Sequence, residues 1–199
     1  MARSKEFDRD TILHRALDAF RVDGYEGTSI QVLVDRMGIH RASLYDTYGS
    51  KEQLFRETLA LYERLVRETY GPVFEAPGRA WAALSRGFDR AIAELTDPMV
   101  GQRSCLMLRT AVSGARHLAE VPLQVRRHFD WFGEQFRRLA ERARSEGDLP
   151  SDSDPSEVAA FLRHVLLGLI AAAAVDADAE GLRRIVERQL GSLLPERVS

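Results

Sequence analysis

Between residues 40 and 51 the chain crowds His40, Arg41, Ser43, Tyr45, Thr47, Tyr48 and Lys51 into one short stretch. An imidazole and a guanidinium in the first turn of a helix can meet the edges of DNA bases. Hydroxyls at 43, 45, 47 and 48 suit phosphate oxygens. Lys51 falls in the first turn of the following helix, so its ammonium and that helix's free amides could share one phosphate. Ala42 and Ser43 are small enough to allow close approach to a groove. The alternative is a plain helical hairpin with a solvated polar face.

A second candidate is the lone cysteine. Ser104 reads as a helix cap, which puts Cys105 at the positive end of a helix from Cys105 to Ser113, with Arg109 on the same face four residues on. Both effects would lower the thiol's pKa and favour thiolate, making Cys105 a possible redox sensor. The opposite reading is a buried, inert cysteine beside Leu106 and Met107. His117, His128 and His164 are too widely spaced to pair as metal ligands. With no paired carboxylates and no nucleophile–base pair, the expectation is no metal, no cofactor and no enzymatic step. A helical enzyme or ligand carrier that keeps the hairpin only as a fold element is the rival from another class.

The elements that must position these groups are helices. Apolar residues recur at steps of three and four through Leu13, Ala16, Leu17, Phe20; Ile30, Leu33, Val34, Met37; Leu54, Leu61, Leu65; and Trp81, Leu84, Phe88, Ile92. The same period continues through Val125 to Ala143, Val158 to Leu169 and Leu182 to Leu190. No alternating run reads as a strand, so the expected class is all-α. Breaks are expected at Gly24, Gly38, Gly49-Ser50, Gly71-Pro72, Thr96-Asp97-Pro98, the loop Gly147 to Asp152 and Asp176-Ala177-Asp178. Asp154-Pro155 opens a helix with a cap and a first-turn proline, and Pro122 suits another first turn. Thr28 and Gln31, like Ser50 and Gln53, have capping-box spacing. Two short helices around Gly38 form a helix-turn-helix pattern. Short elements give way to long ones near Ser50. This suggests a small N-terminal domain over 1–50, extending into the helix 51–70, on a larger helical body over 51–199.

Composition narrows the class. The 199 residues are 45% hydrophobic and 29% charged, ordinary for a globular chain. One cysteine cannot form an internal disulfide, the start has no apolar signal core, and the longest charge-free apolar run, Val165 to Val175, is about half a bilayer span. A cytoplasmic protein without a membrane role is expected. Up to Lys51 the basic residues (Arg3, Lys5, Arg9, Arg15, Arg21, Arg36, Arg41, Lys51) are matched one for one by acidic ones. Any DNA affinity must therefore come from local placement of cations.

The stretch Ile12 to Phe55 resembles the DNA-binding domain of the TetR family of bacterial transcription regulators. The resemblance lies in Ile12-Leu13, Ala16, Phe20, Gly24-Tyr25-Glu26-Gly27-Thr28, Gly38-Ile39, Leu44-Tyr45, Tyr48-Gly49-Ser50-Lys51-Glu52 and Leu54-Phe55. It implies a homodimer whose third helix enters the major groove and whose C-terminal domain binds a small-molecule inducer. The residues it marks as DNA contacts are Thr28, His40, Arg41, Ala42, Ser43, Tyr45, Tyr48 and Lys51. Asp46 departs from the pattern, since a carboxylate near phosphates repels them unless paired. Val34 and Met37 are bulkier than the alanines common there. Some members carry a cysteine at the start of the helix corresponding to that of Cys105 and respond to oxidants or electrophiles, and Cys105-Leu106-Met107-Leu108 is weakly similar to theirs.

In the body, Trp81, Phe88, Phe129, Phe132 and Phe136 form an aromatic surface that either packs the core or lines an inducer cavity. The run Val165 to Val175 is apolar on all sides and must be covered all round. One solution is a two-fold interface with the helix Gly181 to Leu194, drawing on Leu162, Val165, Leu166, Leu169, Ala173, Leu182, Ile185 and Val186. The other is a central helix within one subunit. The resemblance favours the first, because related proteins pair through their last two long helices. Two recognition helices one DNA turn apart would require a near-palindromic double-stranded operator. The expected protein is a transcriptional regulator, a repressor released by an inducer, with a thiol-triggered repressor and an activator as alternatives.

Overall fold

The computed structural model describes residues 9–98, 105–176 and 178–194. These form helices and connecting turns, with no strand among the described residues. In chain order the helices are α1 Arg9–Gly27, α2 Ile30–Met37, α3 Arg41–Tyr48, α4 Lys51–Glu75, α5 Ala80–Thr96, α6 Leu106–Val112, α7 Val121–Ser145, α8 Pro155–Val175 and α9 Ala179–Gly191. A 3₁₀ turn, Gly114–His117, lies between α6 and α7.

The helix ends follow local chemistry. Asp154 accepts from the Ser156 amide at 2.8 Å and Pro155 opens α8. Asp178 caps α9 in the same way, accepting from the Glu180 amide at 3.1 Å. Thr96 is followed by Asp97 in extended geometry, which ends α5. Two ends differ from expectation. Gly24 does not close α1 outright: its φ of 72° and ψ of −178° break the helix, and a further turn runs on to Gly27. Gly71-Pro72 does not end α4, which continues to Glu75 with Pro72 inside it. The lost hydrogen bond is offset because Phe74 is buried among aromatic rings.

The chain divides into two units. One comprises the described residues up to Leu65 together with Cys105–Val125; the other comprises the described residues of 66–104 and 126–199. The expected boundary at residue 50 therefore moves along α4, and α6 with its 3₁₀ turn joins the first unit rather than the body.

The core of the first unit is Phe20, Leu33, Met37, Leu44, Leu54, Phe55 and Leu59, all essentially inaccessible. Each such side chain contributes roughly 1.5–3 kcal/mol on burial. Phe20 meets Phe55 edge-on at 4.9 Å between centroids. Val34 and Met37 are buried too, so the bulk noted in the sequence is absorbed by packing. α6 docks on the broken end of α1. Arg109 Nη1 donates to the carbonyls of Arg21 at 3.1 Å and Val22 at 2.7 Å, and its side chain lies over Gly24.

In the second unit α5 packs on α8 and α9. α8 is long and apolar enough, by length and composition, to cross a membrane. Here its inner face, Leu162, Val165, Leu166, Leu169 and Ile170, is buried in the unit, as in a core helix.

Candidate nucleic-acid interface

α2 and α3 meet at a tight turn. Gly38 adopts φ 70° and ψ 35°, the left-handed conformation that closes α2, and its amide donates to Val34 O at 2.9 Å. Arg15 Nη1 donates to the Met37 carbonyl at 3.2 Å, tying α1 to this turn. His40 caps α3 in extended geometry without a side-chain bond, which leaves its imidazole exposed at the helix start.

Along α3, Leu44 and Tyr48 point inward and are buried. That leaves His40, Arg41, Ala42, Tyr45 and Asp46 exposed together, with Ser43 half-buried at the edge. The Arg41 guanidinium lies 6.0 Å from the Tyr45 ring centroid, near enough for a weak cation–π contact. Ser50 accepts from the Gln53 amide at 3.0 Å and so caps α4, but the Gln53 carboxamide bonds Arg56 instead of reaching back, so only half of the capping box forms. Lys51 stands 4.3 Å over the Tyr25 ring, half-buried, and burial pulls its pKa below 10.5 against an opposing pull from Glu26. His40, Arg41, Ala42, Tyr45 and, in part, Lys51 thus keep exposed surface.

Thr28 and Tyr48 do not. The α2 cap is Ser29, whose hydroxyl accepts from the Val32 amide at 3.2 Å, one residue later than the spacing suggested. Thr28 is fully buried and donates to Gly24 O at 2.5 Å, stitching the break in α1. Gln31 bonds Asp35 within α2 at 2.9 Å. Tyr48 is 3% exposed, and its hydroxyl is sealed in against the Arg9 side chain. Both side chains are buried here, away from the exposed face of α3. Sequence reasoning also passed over Arg9. At the start of α1 it pairs with Glu57 at 2.9 Å and lies over the Tyr48 ring at 5.6 Å.

Comparison with known proteins supports this reading. Residues 12–58 match the family model for bacterial regulatory proteins of the tetR family, and residues 80–188 match that for the tetracyclin repressor-like C-terminal domain. The chain belongs to the TetR family of transcriptional regulators. It is 34% identical over 194 residues to the transcriptional regulator YezE of Bacillus subtilis, covering 97% of this chain and 100% of that one. It is 27% identical to the transcriptional repressor ComR of Escherichia coli, covering 98% and 93%. A solved structure of the TetR-family regulator CifR, a cysteine-substituted form bound to a 26-base-pair operator duplex, superposes with a TM-score of 0.85 at 35% identity, covering 96% of this chain and 99% of that one. As a TetR-family protein the chain is an all-α, DNA-binding transcriptional regulator.

The regulatory residues of this TetR-family chain are placed unevenly. Phe88, Phe132 and Phe136 come together, joined by Phe74, which the sequence did not mark. Phe88 stacks on Phe136 at 5.9 Å and Tyr70 meets Phe132 at 5.7 Å. The space among them is about 10 Å³, too small for more than one water. Trp81 and Phe129 are half-exposed and stand outside that space. Of the residues suggested for a dimer interface, Leu162, Val165, Leu166, Leu169, Ala173, Leu182 and Val186 are buried within the chain itself, and Ile185 is 56% exposed. Between α8 and α9 runs an open apolar groove of about 190 Å³, where Gly168, Ala172 and Ile185 reach the surface.

Cys105 corrects the electrostatic expectation. It is itself the residue preceding α6, and the suggested cap Ser104 lies outside the described residues. Burial pushes the thiol pKa up, and the lesser pulls of the Leu108 and Met107 amides, the Tyr62 hydroxyl and the Arg21 charge do not reverse this. Arg109 turns away to the α1 carbonyls and gives the thiol no charge partner. Among the described residues no His, Cys, Asp and Glu cluster could hold a metal.

Proposed function

We propose that this regulator acts in the cytoplasm as a homodimeric repressor on a near-palindromic operator and leaves it when a small molecule enters the helical body. The observation that carries the reading is the recognition surface of α3, with His40, Arg41, Ala42 and Tyr45 exposed together beside Lys51 at the start of α4. The operator-bound relative supports it at 35% identity over nearly the whole chain, and the ComR relative is a repressor. The open groove between α8 and α9, with Ile185 at its edge, supports pairing through the last two helices. A diffusible ligand fits the body better than a thiol trigger, because Cys105 is buried and its thiolate is disfavoured.

Footprinting of the purified protein on its own promoter region tests the reading. The expected result is protection of two half-sites whose centres lie about one helical turn, roughly 34–36 Å, or a multiple of it apart. Protection of one unsymmetrical site by a monomer would overturn the dimeric operator. Loss of reporter expression on deleting the gene would show an activator instead.

A further inference from the structure

The buried stripe of α7 is apolar except at two positions. His128, Phe132, Gln135 and Leu139 follow one another at steps of three and four, and all four are buried. Gln135 is 9% exposed, and its carboxamide makes no hydrogen bond with any described residue. A carboxamide carries two donors and an acceptor oxygen, and leaving them unpaired in an apolar interior costs stability that a leucine there would not. Such a group is explained by a partner that the folded chain does not supply. One side chain closes the space around it. On the helical lattice the neighbours of Gln135 include Trp131, Phe132 and Phe136, and Phe74 of α4 meets all three rings, at 6.2, 6.3 and 5.9 Å between centroids. Phe74 in turn rests on the bare backbone of Gly87 in α5, where a Cβ would stand 2.5 Å from its Cε1. Two residues before Phe74, Pro72 lacks the amide hydrogen that would tie the last turn of α4 to the preceding one. That turn is therefore held mainly by the ring it carries. With Phe74 seated, the space it shares with Phe88, Phe132, Phe136 and Leu166 is about 10 Å³. A ligand ring that takes over its contacts exchanges one aromatic for another, so opening forfeits little packing.

The polar groups of this face are neutral. His128 lies two turns from Gln135, and burial with the Arg67 charge pulls its pKa to about 4, so its imidazole is uncharged at neutral pH. The charges nearby are committed. Arg67 lies over the Trp131 ring at 5.6 Å, and Glu94 accepts from the Tyr70 hydroxyl at 3.0 Å and from Arg90 at 2.7 Å. An ion entering among these rings would be desolvated without a counter-charge. We propose that α4, α5 and α7 enclose a site for an uncharged aromatic ligand with an amide-like edge, whose ring takes the seat of Phe74 and whose edge pairs with the Gln135 carboxamide. The site rests on the reading that a small molecule enters the helical body, and it names the chemical class of that molecule.

Calorimetric titration with probes of one ring size tests this: benzamide, toluene, benzoate and benzylamine, the last two charged at neutral pH. The proteins are the full-length wild type, Gln135→Leu and Phe74→Leu, each also followed by thermal melting, and each probe is added in parallel to the operator complex in a fluorescence-anisotropy assay. The wild type is expected to bind benzamide roughly tenfold more tightly than either charged probe. Gln135→Leu should melt higher than the wild type, because the unpaired amide is gone. It should also bind benzamide roughly tenfold more weakly and keep its affinity for toluene. A glutamine with a structural role alone would instead lower the melting temperature when replaced and move both probes alike. Phe74→Leu vacates part of the seat and should raise the affinity for benzamide and toluene together. Tighter binding of benzoate than of benzamide would assign the site to an anion beside Arg67 and overturn the proposal. Equal benzamide affinity in wild type and Gln135→Leu, or no probe bound by either the wild type or Phe74→Leu, would overturn it as well. Benzamide held through Gln135 without release of the operator would uphold the site and refute the reading that its occupancy controls DNA binding.

Discussion

The break at Gly24 and the Arg109 side chain lying across it should behave as one unit, and a double-mutant cycle exposes this. Gly24 sits at φ 72°, ψ −178°, a region open essentially to glycine alone. Gly24→Ala should therefore cost on the order of 1–3 kcal/mol from backbone strain. A Cβ there would also stand 3.2 Å from Arg109 Nε, so the guanidinium must shift off its bonds to the Arg21 and Val22 carbonyls. Hydrogen bonds from a charged donor are worth about 1.5–3 kcal/mol. Arg109→Met keeps the aliphatic stem and removes those bonds, for an expected loss of about 2 kcal/mol. Together the independent losses would reach roughly 3–5 kcal/mol. The double variant should fall short of that sum by about 1 kcal/mol or more, because nothing is left for the new Cβ to displace. Urea unfolding of the four proteins measures the cycle. Losses that add to within about 0.5 kcal/mol would mean that Arg109 does not hold the break.

Lys51→Ala should lower the salt slope of operator binding by about 0.9 and weaken all duplexes alike; an unchanged slope removes Lys51 from the phosphate contacts. Ile185→Glu should split the proposed dimer in sedimentation while leaving the monomer folded, because Ile185 is exposed in the chain; an unchanged dimer moves the interface elsewhere. Leu169→Arg, by contrast, should unfold the chain, since Leu169 is already buried within it. His128 is buried, and burial with the nearby Arg67 charge pulls its pKa from 6.5 to about 4. The unfolded chain therefore takes up a proton below pH 6.5 that the fold refuses until about pH 4. Stability should be unaffected above pH 7 and should drop by roughly 2 kcal/mol at pH 5, a drop His128→Gln should abolish; parallel pH profiles would contradict it. Cys105 should be alkylated far more slowly in the folded than in the denatured protein at every pH, and equal rates would reopen the sensor reading.

Much of the architecture could be read from the chain because it is encoded locally. The turn at Gly38, the Asp154-Pro155 start and the Ser50 cap each rest on residues within one helical turn. The misplacements arise where neighbours compete. Thr28 and Ser29 are adjacent hydroxyls with equal claims to cap α2. The conformation of Gly24 decides between them by offering Thr28 a carbonyl to bond. Tyr45 and Tyr48 looked alike as hydroxyl donors, although the spacing from Leu44 to Tyr48 already placed the latter on the inner face. Arg109 was assigned to its own helix, but its partners lie 87 and 88 residues away. On the Val165–Val175 part of α8, apolar all round, no periodicity could tell the face buried in the chain from the face left open.

The first unit is assembled from two stretches that are far apart in the chain, the residues up to Leu65 and Cys105–Val125. During synthesis the recognition helix emerges early, but the arginine that secures α1 is made only after the intervening segment. At about 5–20 residues per second, the 60 residues from Leu65 to Val125 take roughly 3–12 s. Through that interval α1 lacks its clamp and the surface awaiting α6 is bare, so the nascent chain is exposed to premature pairing and proteolysis. For the same reason a fragment cut after α4 would not be a transplantable DNA reader. A chimaera that borrows this operator specificity has to carry Cys105–Val125 with it.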